Sequence, residues 1–383
     1  MRSAPLRQAA ILINGPATLL PCGNRPFLAW MLRELSRFGV EAALLLITDA
    51  WDDVTAAISA IQAGLPKKMA IRCLRVLNDA GTGGALFHVR ENLEERFLVC
   101  RGTTWLDFNL ARLLADAAGN PAGIIATAVQ CRVVDQLREA GIYYLDRSAV
   151  DGMSPVCSLE RDVLPALAAT GALRAWVAAG WFIDLAIPAD RSRAASELPV
   201  RLHRRALFLD RDGVINVDHG WVGTRERFEF IPGALAVIRA ASDAGWHVFV
   251  VTNQSGIARG LFDEADFARL TAWMTDTIRT AGGTIDDLRY CPFHPEAPLK
   301  AFRRISDWRK PAPGMILDLL ARWQLDASHC VLVGDQETDM QAAAAAGMPA
   351  HRFVGGDLAE FVLPLLQQAW GSAPNPAKRQ SPL

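Results

Sequence analysis

The chain has 383 residues, of which 51 % are hydrophobic and 21 % charged, a composition that supports a sizeable core and excludes a disordered chain. At roughly 150 residues per domain, this length favours two domains over one. Lys and Arg (40) nearly balance Asp and Glu (41), so the formal net charge of -1 gives no bulk electrostatic argument for nucleic acid or an anionic membrane as a partner.

Cysteine usage and the lack of long apolar runs both point to the cytoplasm. The seven cysteines are scattered and form no CxxC pair, which is typical of a reducing compartment. The apolar run at 9–13 is too short for a signal peptide, and Asn14-Gly15-Pro16 breaks it. No run approaches the roughly 18 apolar residues of a membrane-spanning helix. We therefore expect a cytoplasmic protein.

Short apolar runs alternate with longer amphipathic segments along the whole chain. In the first half the predicted strands are 9–13, 42–47, 96–100 and 123–129, and the segment 26–39 shows helical spacing. In the second half the clearest predicted strands are 206–210, 247–253 and 330–335. This alternation predicts parallel sheets with helices on both faces. The expected fold class is α/β, with two three-layer Rossmann-like domains built on mainly parallel sheets.

A change in composition marks the boundary between the two halves. The basic stretch 201–205 follows the last element of the first half, and the alternation then restarts. We place one domain at 1–198 and the second at 199–370. Residues 371–383 are rich in Pro and Ser and are predicted to form a disordered tail.

Polar side chains follow three predicted strands of the second half. Asp210 and Asp212 follow the first strand, Thr252 ends the second and Asp335 ends the third. The carboxyl edge of an open α/β sheet is where ligands bind. An aspartate there can attack phosphorus and form an aspartyl-phosphate. A carboxylate two residues further lies on the same side of the extended chain and can protonate the leaving oxygen, then activate water.

The remaining polar groups also suit phosphoryl transfer. Asp335 completes an oxygen-rich site suited to Mg²⁺. Thr252, Lys310 and backbone N–H groups are suited to hold the transferring phosphoryl oxygens. A calcium loop starting at Asp210 fits poorly, because Ile215 and Trp221 occupy the positions that need Gly and Glu.

Four motifs carry a resemblance to a known family: FLDRDGVINVDHGWV, VVTNQSGIARG, RKPAPGM and VGDQETDMQAAAAAG. Residues 205–357 resemble the haloacid dehalogenase-like phosphatases, in the branch of the D-glycero-D-manno-heptose-1,7-bisphosphate 7-phosphatases and the histidinol-phosphatases. The resemblance implies Asp210 as nucleophile, Asp212 as general acid and base, and Thr252 and Lys310 as phosphoryl stabilisers. It also implies Mg²⁺ bound by Asp210, Asp335 and the backbone carbonyl of Asp212. The substrate-binding residues that it implies are Asp218, His219, Gly220, Trp221, Asn253, Gln254, Ser255, Arg309 and Gln336.

The sequence departs from this family at its zinc motif. Many members hold a structural zinc through a CxH pair and a CxC pair before the RKP motif. Here Cys291 remains, but Phe293 stands at the position of the His ligand, and Ser306 and Trp308 replace the second pair. A closed tetrahedral site needs four ligands. We therefore expect no zinc, and a loop 291–309 that is packed through its aromatic side chains.

The first half resembles the sugar-phosphate nucleotidyltransferases through AAILING, NRPFLAWMLRELSRFGV, AGTGGALFHVRENLEERFLV, CSLERDVLP and GWFIDLAIPADRSRA, from about residue 8 to 197. The cations of that family's glycine-rich loop are absent from 14–23. Thr103 stands where one metal-binding Asp is expected, and Asp184 matches the other. The interpretation is a degenerate domain that binds nucleotide-sugar or serves assembly, including homo-oligomer formation.

The two resemblances together imply one function. The leading hypothesis is a Mg²⁺-dependent phosphatase of a small phosphorylated sugar, D-glycero-D-manno-heptose 1,7-bisphosphate at C7, in the making of a nucleotide-activated heptose. Three alternatives stay open. The substrate is histidinol phosphate or another small phosphomonoester; the chain is a bifunctional phosphatase and guanylyltransferase; or the first half has a non-catalytic role.

Overall fold

The structure is a computed structural model that describes residues 6–121, 123–133 and 136–371. The chain divides into two compact units, Met1–Leu202 and His203–Leu383. The last helix of the first unit runs through the predicted boundary at 198 to Arg201, because Leu198 is a buried core residue of that unit. Of the predicted tail, residues 372–383 lie outside the described residues. No helix within the described ranges is long and apolar enough to cross a membrane.

The first unit contains eleven strands among its described residues. They are β1 (Gln8–Asn14), β2 (Pro21–Cys22), β3 (Arg25–Pro26), β4 (Ala42–Asp49), β5 (Ala70–Arg75), β6 (Arg96–Arg101), β7 (Thr104–Leu106), β8 (Ala126–Val133), β9 (Gln136–Asp146), β10 (Leu173–Ala178) and β11 (Phe182–Asp184). The helices are α1 (Phe27–Arg37), α2 (Trp51–Ala63), α3 (Gly81–His88), α4 (Leu110–Ala118), α5 (Arg147–Asp151), α6 (Leu164–Ala169) and α7 (Pro188–Arg201), with a π-helical turn at Leu159–Val163.

Seven of these strands form one sheet in the order β10-β8-β9-β6-β1-β4-β5. Strand β9 is antiparallel to both neighbours, and the other pairs are parallel. Alternate residues of β1 enter two separate cores: Ala9, Ile11 and Ile13 pack with α1, α2, α4 and α7, and Ala10 and Leu12 pack with α3, α5 and α6. The apolar run of β1 is therefore buried on both faces, as predicted for a three-layer domain.

One predicted strand is displaced in the structure. The prediction covered 123–129, but β8 begins at Ala126. Gly123 has a φ of 101° and the N–H of Ile124 donates to the carbonyl of Pro121, so a turn occupies the start of the apolar run. Apolar composition alone does not reveal where this turn ends.

The second unit contains five strands and six α-helices among its described residues. The strands are β12 (Ala206–Leu209), β13 (His247–Asn253), β14 (Asp287–Cys291), β15 (Cys330–Gly334) and β16 (Ala350–Arg352). The helices are α8 (Ala234–Asp243), α9 (Ser255–Ala258), α10 (Glu264–Thr280), α11 (Gly314–Trp323), α12 (Glu337–Ala345) and α13 (Leu358–Gly371).

The second sheet is wholly parallel, in the order β14-β13-β12-β15-β16. Residues Leu207 and Leu209 of β12 face a core with α8, α10 and α13, and Ala206 and Phe208 face a core with α11 and α12. This is a doubly wound sheet with β12 in the centre, where the strand order reverses. A crevice opens at the carboxyl edge of such a switch point. The α/β fold class predicted for both halves is confirmed.

Candidate active site

Asp210 lies immediately after the central strand β12 and is held at three atoms. Its N–H donates to the carbonyl of Val333 at 3.0 Å, which continues the pairing with β15. Its Oδ1 accepts the N–H of Arg211 at 2.7 Å, and its Oδ2 lies 2.8 Å from Nζ of Lys310. The residue is 8 % exposed. This carboxylate is therefore fixed at the carboxyl edge of the sheet, at the switch point.

Lys310 is buried among three acceptors. Its Nζ lies 2.8 Å from Oδ2 of Asp210 and 2.5 Å from Oδ1 of Asp339, and it donates to the carbonyl of Val251 at 3.0 Å. Burial alone lowers the pKa of Lys310, but the two carboxylates outweigh burial and hold the pKa above its usual value. Lys310 thus stays charged and holds both carboxylates.

The same environment also raises the pKa of the Asp210 carboxyl, which disfavours its ionised form. Burial raises the pKa of Asp210 to about 7; Lys310 counteracts this effect, and the nearby charges of Asp339 and Asp212 add to it. The single positive charge of Lys310 does not neutralise the negative charges of Asp210, Asp339 and Asp212. The site therefore favours a further positive charge.

Three carboxylates form a group that suits a metal ion. Asp210, Asp335 and Asp339 each offer one oxygen, and these oxygens lie within 4.8 Å of one another. Oδ2 of Asp335 accepts the side-chain N–H of Gln336 at 2.6 Å, whereas Oδ1 is buried without a hydrogen-bond partner among the residues that the structure describes. Burial also raises the pKa of Asp335. Buried carboxylate oxygens with an unsatisfied acceptor fit a hard divalent cation such as Mg²⁺.

Asp339 was not predicted as a site residue. It lies in the first turn of α12, where its Oδ2 accepts the N–H of Gln336 at 3.0 Å and its other oxygen reaches Lys310. The four-residue spacing in Asp335-x-x-x-Asp339 is the signal that could have found it, because the first turn of the helix returns the second carboxyl toward the end of β15.

Two glycines make room for these carboxylates. Gly213 has a φ of 82°, and a Cβ there would lie 2.4 Å from Oδ2 of Asp335. A Cβ on Gly334 would lie 2.3 Å from Cβ of Asp339. The DRDG and VGD motifs therefore contain glycine because the backbone must approach each carboxyl closely.

Asp212 is bound by nitrogen donors at both oxygens. Arg211 donates from Nη2 to Oδ1 and Oδ2, at 2.8 Å each. The amide of Asn216 donates to Oδ1 at 2.9 Å, and Gln254 donates to Oδ2 at 2.8 Å. The side chain keeps 19 % exposure, so it is oriented by its neighbours yet still open to a ligand.

The residues at the end of β13 connect the site internally. Gln254 Nε2 also donates to Oγ1 of Thr252 at 2.9 Å, which leaves the Thr252 hydroxyl proton for another acceptor. Asn253 donates to the carbonyl of Lys310 and accepts the Lys310 N–H, both at 3.1 Å. The side-chain amides of Asn253 and Gln254 therefore position Lys310 and Asp212, and their contact with a substrate stays a prediction, as does that of Ser255 at the start of α9.

The predicted substrate segment 218–221 is a folded loop. The Asp218 carboxylate accepts the N–H of Gly220 at 2.8 Å, and Gly220 and Trp221 have φ values of 72° and 51°. Arg227 donates to the carbonyls of His219 and Gly220 at 2.7 and 2.9 Å. This geometry leaves Trp221 49 % exposed.

Cations gather on the loops next to this segment. The Arg259 guanidinium lies 5.3 Å from the ring centre of Trp221. Burial lowers the pKa of Arg309, and the charge of Arg259 lowers it further. Burial lowers the pKa of His294 as well, and both arginines add to that effect. Arginines placed so that one disfavours the charge of the other are suited to receive an anion.

The loop 291–309 is packed through side chains. The rings of Phe293 and Phe302 are 6.1 Å apart, and the Arg304 guanidinium lies 3.5 Å from the centre of the Phe293 ring. Nη1 of Arg309 donates to the Phe293 carbonyl at 3.4 Å. Burial raises the pKa of the Cys291 thiol. Phe293 thus lies at the centre of the loop that carries Arg309; the absence of zinc stays a prediction.

The polar side chains of the first unit that match the transferase motifs are engaged in contacts within the protein. Arg101, at the end of β6, pairs with Glu160 at 3.0 Å, and Thr82 donates to the same carboxylate at 2.6 Å. Asp184 accepts the N–H of Ala186 at 3.0 Å. Over residues 6–121, 123–133 and 136–371, the three aspartates of the second unit are the only group of three or more metal-ligating side chains.

The fold and site of the second unit define the class. A doubly wound parallel sheet with Asp210-x-Asp212 after its central strand, a buried lysine and two acidic residues after the adjacent strand is the architecture of the haloacid dehalogenase-like phosphatases. The HAD-hydrolase-like family model matches residues 307–352, which contain Lys310, Asp335 and Asp339.

Known proteins place the chain more narrowly. It is 50 % identical over 163 residues to the D-glycero-beta-D-manno-heptose-1,7-bisphosphate 7-phosphatase of Rhodopseudomonas palustris, covering 43 % of this chain and 91 % of the relative. The D-glycero-alpha-D-manno-heptose-1,7-bisphosphate 7-phosphatase of Burkholderia mallei is 46 % identical over 147 residues, which are 38 % of this chain and 78 % of the relative. The chain belongs to the D-glycero-D-manno-heptose-1,7-bisphosphate 7-phosphatase family.

Two solved structures are each similar to half of this chain or less. The D,D-heptose 1,7-bisphosphate phosphatase of B. bronchiseptica, crystallised with magnesium and phosphate, is 33 % identical over 43 % of this chain and 99 % of that one, with a TM-score of 0.38. HddC of Yersinia pseudotuberculosis is 20 % identical over 50 % of this chain and 98 % of that one, with a TM-score of 0.43. The transferase resemblance of the first half stays a prediction.

Proposed function

We propose that the chain is a Mg²⁺-dependent phosphatase that removes the C7 phosphate of D-glycero-D-manno-heptose 1,7-bisphosphate. The observation that carries this proposal is the fixed Asp210 carboxylate, held by Lys310 and the Arg211 N–H beside an unsatisfied oxygen of Asp335. A buried, oriented carboxylate at the switch point is suited to act as a nucleophile toward phosphorus.

The reaction follows from the positions of the two DRDG aspartates. Asp210 attacks phosphorus and forms an aspartyl-phosphate while the bond from phosphorus to the leaving sugar oxygen breaks. Asp212 donates a proton to that oxygen. Asp212 then accepts a proton from water as the water attacks phosphorus, which releases inorganic phosphate and restores the Asp210 carboxylate. The free hydroxyl proton of Thr252 is available to a phosphoryl oxygen.

Asp210 and Asp335, with the backbone carbonyl of Asp212, would hold Mg²⁺, and Asp339 lies within reach of the same point. The ion would supply positive charge that offsets the phosphoryl oxygens and the carboxylates around them. In this arrangement Lys310 orients Asp210 and Asp339, and its three N–H donors are taken by these two carboxylates and the carbonyl of Val251. Its predicted contact with the phosphoryl group therefore requires that one N–H be shared between a carboxylate oxygen and a phosphoryl oxygen.

The cations around the substrate loop support a substrate with a second anionic group. The charge of Arg259 adds to burial in lowering the pKa of Arg309, and both arginines lower the pKa of His294. The half-exposed ring of Trp221 lies beside Arg259. A sugar bisphosphate brings a second phosphate to this region. Histidinol phosphate brings an ammonium group, which these cations disfavour.

The first unit supports a non-catalytic role. Glu160 is engaged by Arg101 and Thr82, and one oxygen of Asp184 by a backbone N–H. Thr103 contributes no carboxylate beside Asp184. A nucleotidyltransferase needs a metal and a cationic loop to stabilise charge at the α-phosphorus. We therefore propose that this unit binds a ligand or serves assembly and does not transfer a nucleotide.

The substrate is tested with a panel of phosphomonoesters at equal concentration. We expect the highest kcat/KM for one anomer of the heptose 1,7-bisphosphate, with ³¹P NMR showing loss of the C7 phosphate and retention of the C1 phosphate. Asp276→Asn, which alters a carboxylate of α10 paired with Arg279, serves as a control with wild-type rates. A higher kcat/KM for histidinol phosphate would overturn the substrate assignment.

A further inference from the structure

The Arg211 side chain makes contacts that a substrate-binding role does not explain. It is 1 % exposed, and its guanidinium lies 5.6 Å from the ring centre of Phe267, which is itself buried with Ile257 and Phe262. Because the side chain is shielded from solvent, we expect no direct contact between Arg211 and a substrate bound at Asp210. Its contacts must act through the protein.

Among the described residues, the hydrogen bonds of this guanidinium go to two partners. Nε donates to Oδ1 of Asp212 at 3.2 Å, and Nη2 donates to both oxygens of that carboxylate at 2.8 Å. Nη2 also donates to the carbonyl of Val222 at 2.6 Å. Val222 is wholly buried and directly follows the 218–221 loop. One nitrogen therefore joins the carboxyl of the general acid to the anchored end of the substrate loop.

Stability does not account for this arrangement. Nη1 of Arg211 is buried without a hydrogen-bond partner among the described residues. Replacing a buried ion pair by apolar side chains of similar volume is often neutral or stabilising. An arginine that leaves one nitrogen unsatisfied here is better explained by the orientation that it imposes on Asp212.

We propose that Arg211 is a positioning residue for leaving-group protonation, which fixes the Asp212 carboxyl relative to the 218–222 segment. The inference rests on the proposed function, because it takes Asp212 as the general acid. Asn216 and Gln254 hold Asp212 from other sides, so the carboxylate stays bound without Arg211 but is free to turn. Displacing an acid by a fraction of an ångström weakens proton transfer while leaving nucleophilic attack intact.

Leaving-group dependence separates this role from a structural one. An alkyl phosphate such as the heptose bisphosphate needs a proton on its leaving oxygen, whereas p-nitrophenolate departs without one. The ratio kcat/KM reports on steps up to the first irreversible one, so it is independent of how fast the aspartyl-phosphate is hydrolysed. For Arg211→Gln we expect kcat/KM to fall by about 100-fold for the alkyl phosphate and by less than about threefold for p-nitrophenyl phosphate.

Three reference variants complete the experiment on the full chain. Arg211→Lys keeps the positive charge but lacks the forked donors of the guanidinium, so we expect a smaller selective loss of kcat/KM for the alkyl phosphate. This variant keeps the test decisive if Arg211→Gln fails to fold. Arg289→Gln removes another partly buried arginine that pairs with Asp287 and Asp318 outside the site, and both substrates should keep their rates. Asp212→Asn should show the selective loss in full.

The outcomes distinguish the inference from the proposed function. If both substrates lose activity equally in both Arg211 variants, or neither loses any, the positioning role is wrong. If Asp212→Asn itself shows no selectivity, or the wild type hydrolyses neither substrate, the proposed function fails instead.

Discussion

At the scale of single residues, the site is defined by an excess of negative charge. Lys310 lies between Asp210 and Asp339, while Asp335 forms no ion pair within the described part of the chain and keeps a buried oxygen without a hydrogen bond there. Burial raises the pKa of Asp335, which means that its ionised form is disfavoured in the folded protein. Ionisation of Asp335 therefore costs stability in the folded protein when no cation is bound.

Asp335→Asn follows from this imbalance. In a chelator at neutral pH we expect the variant to melt at or slightly above the wild-type temperature, because a carboxyl with a raised folded-state pKa costs stability when it ionises. Millimolar Mg²⁺ should raise the Tm of the wild type and leave that of the variant unchanged. Differential scanning calorimetry with and without Mg²⁺ measures both effects. An equal Mg²⁺-induced rise in the two proteins would exclude Asp335 as a ligand.

Sequence patterns revealed most of this chemistry but not all of it. Asp210, Asp212, Thr252 and Asp335 were predicted because each follows a buried strand, and strand ends converge at one edge of a parallel sheet. Asp339 was missed because its position depends on the first turn of α12, a tertiary consequence that strand-end reasoning does not include. The inward orientation of the Gln254 amide depends on side-chain geometry and is equally invisible in sequence.

At the scale of elements, the loop 291–309 determines where Arg309 lies. Its centre is Phe293, which packs against Phe302 and Arg304 and whose carbonyl accepts from Arg309. The sequence predicted packing by aromatic side chains from the loss of the cysteine pair. It did not predict the arginine stacked on Phe293, since loop sequence does not specify which side chains meet.

Phe293→Ala tests whether this loop sets substrate affinity. Loss of the ring should loosen the carbonyl that orients Arg309 and raise KM for the bisphosphate by about 10-fold, with kcat changed by less than about threefold, which corresponds to about 1.4 kcal/mol of binding. Steady-state kinetics measure the split. Phe361→Ala removes a comparable ring contact, with Phe353, and should leave KM unchanged. A fall in kcat at constant KM would contradict this role.

At the scale of the whole molecule, one chain contains two α/β units, the first with a mixed seven-stranded sheet and the second with a parallel five-stranded sheet. The strand pattern predicted both sheets, because uninterrupted apolar runs are typical of strands buried on both faces. It placed the unit boundary at 198, four residues before the division at 202/203, since α7 continues to Arg201. The charge distribution differs as well: the second unit brings Asp210, Asp335 and Asp339 together, and in the first unit Arg101 pairs with Glu160.

Transferase activity distinguishes the two interpretations of the first unit. With GTP, Mg²⁺ and heptose 1-phosphate we expect no GDP-heptose from the full chain, because Thr103 supplies no carboxylate and the 14–23 loop contains no lysine or arginine. Chromatography of the products checks this outcome, with a phosphatase assay on the same sample as proof of an active protein. Measurable GDP-heptose would establish the bifunctional alternative.

The proposed reaction requires that Asp210 becomes phosphorylated during turnover. Its most direct test is rapid acid quench of the wild type and Asp210→Asn with substrate carrying ³²P at C7. The wild type should yield a transient, hydroxylamine-sensitive phosphoprotein that maps to Asp210, and the variant should show neither the label nor release of phosphate. Phosphate release from Asp210→Asn at the wild-type rate, or label on another residue, would contradict the account.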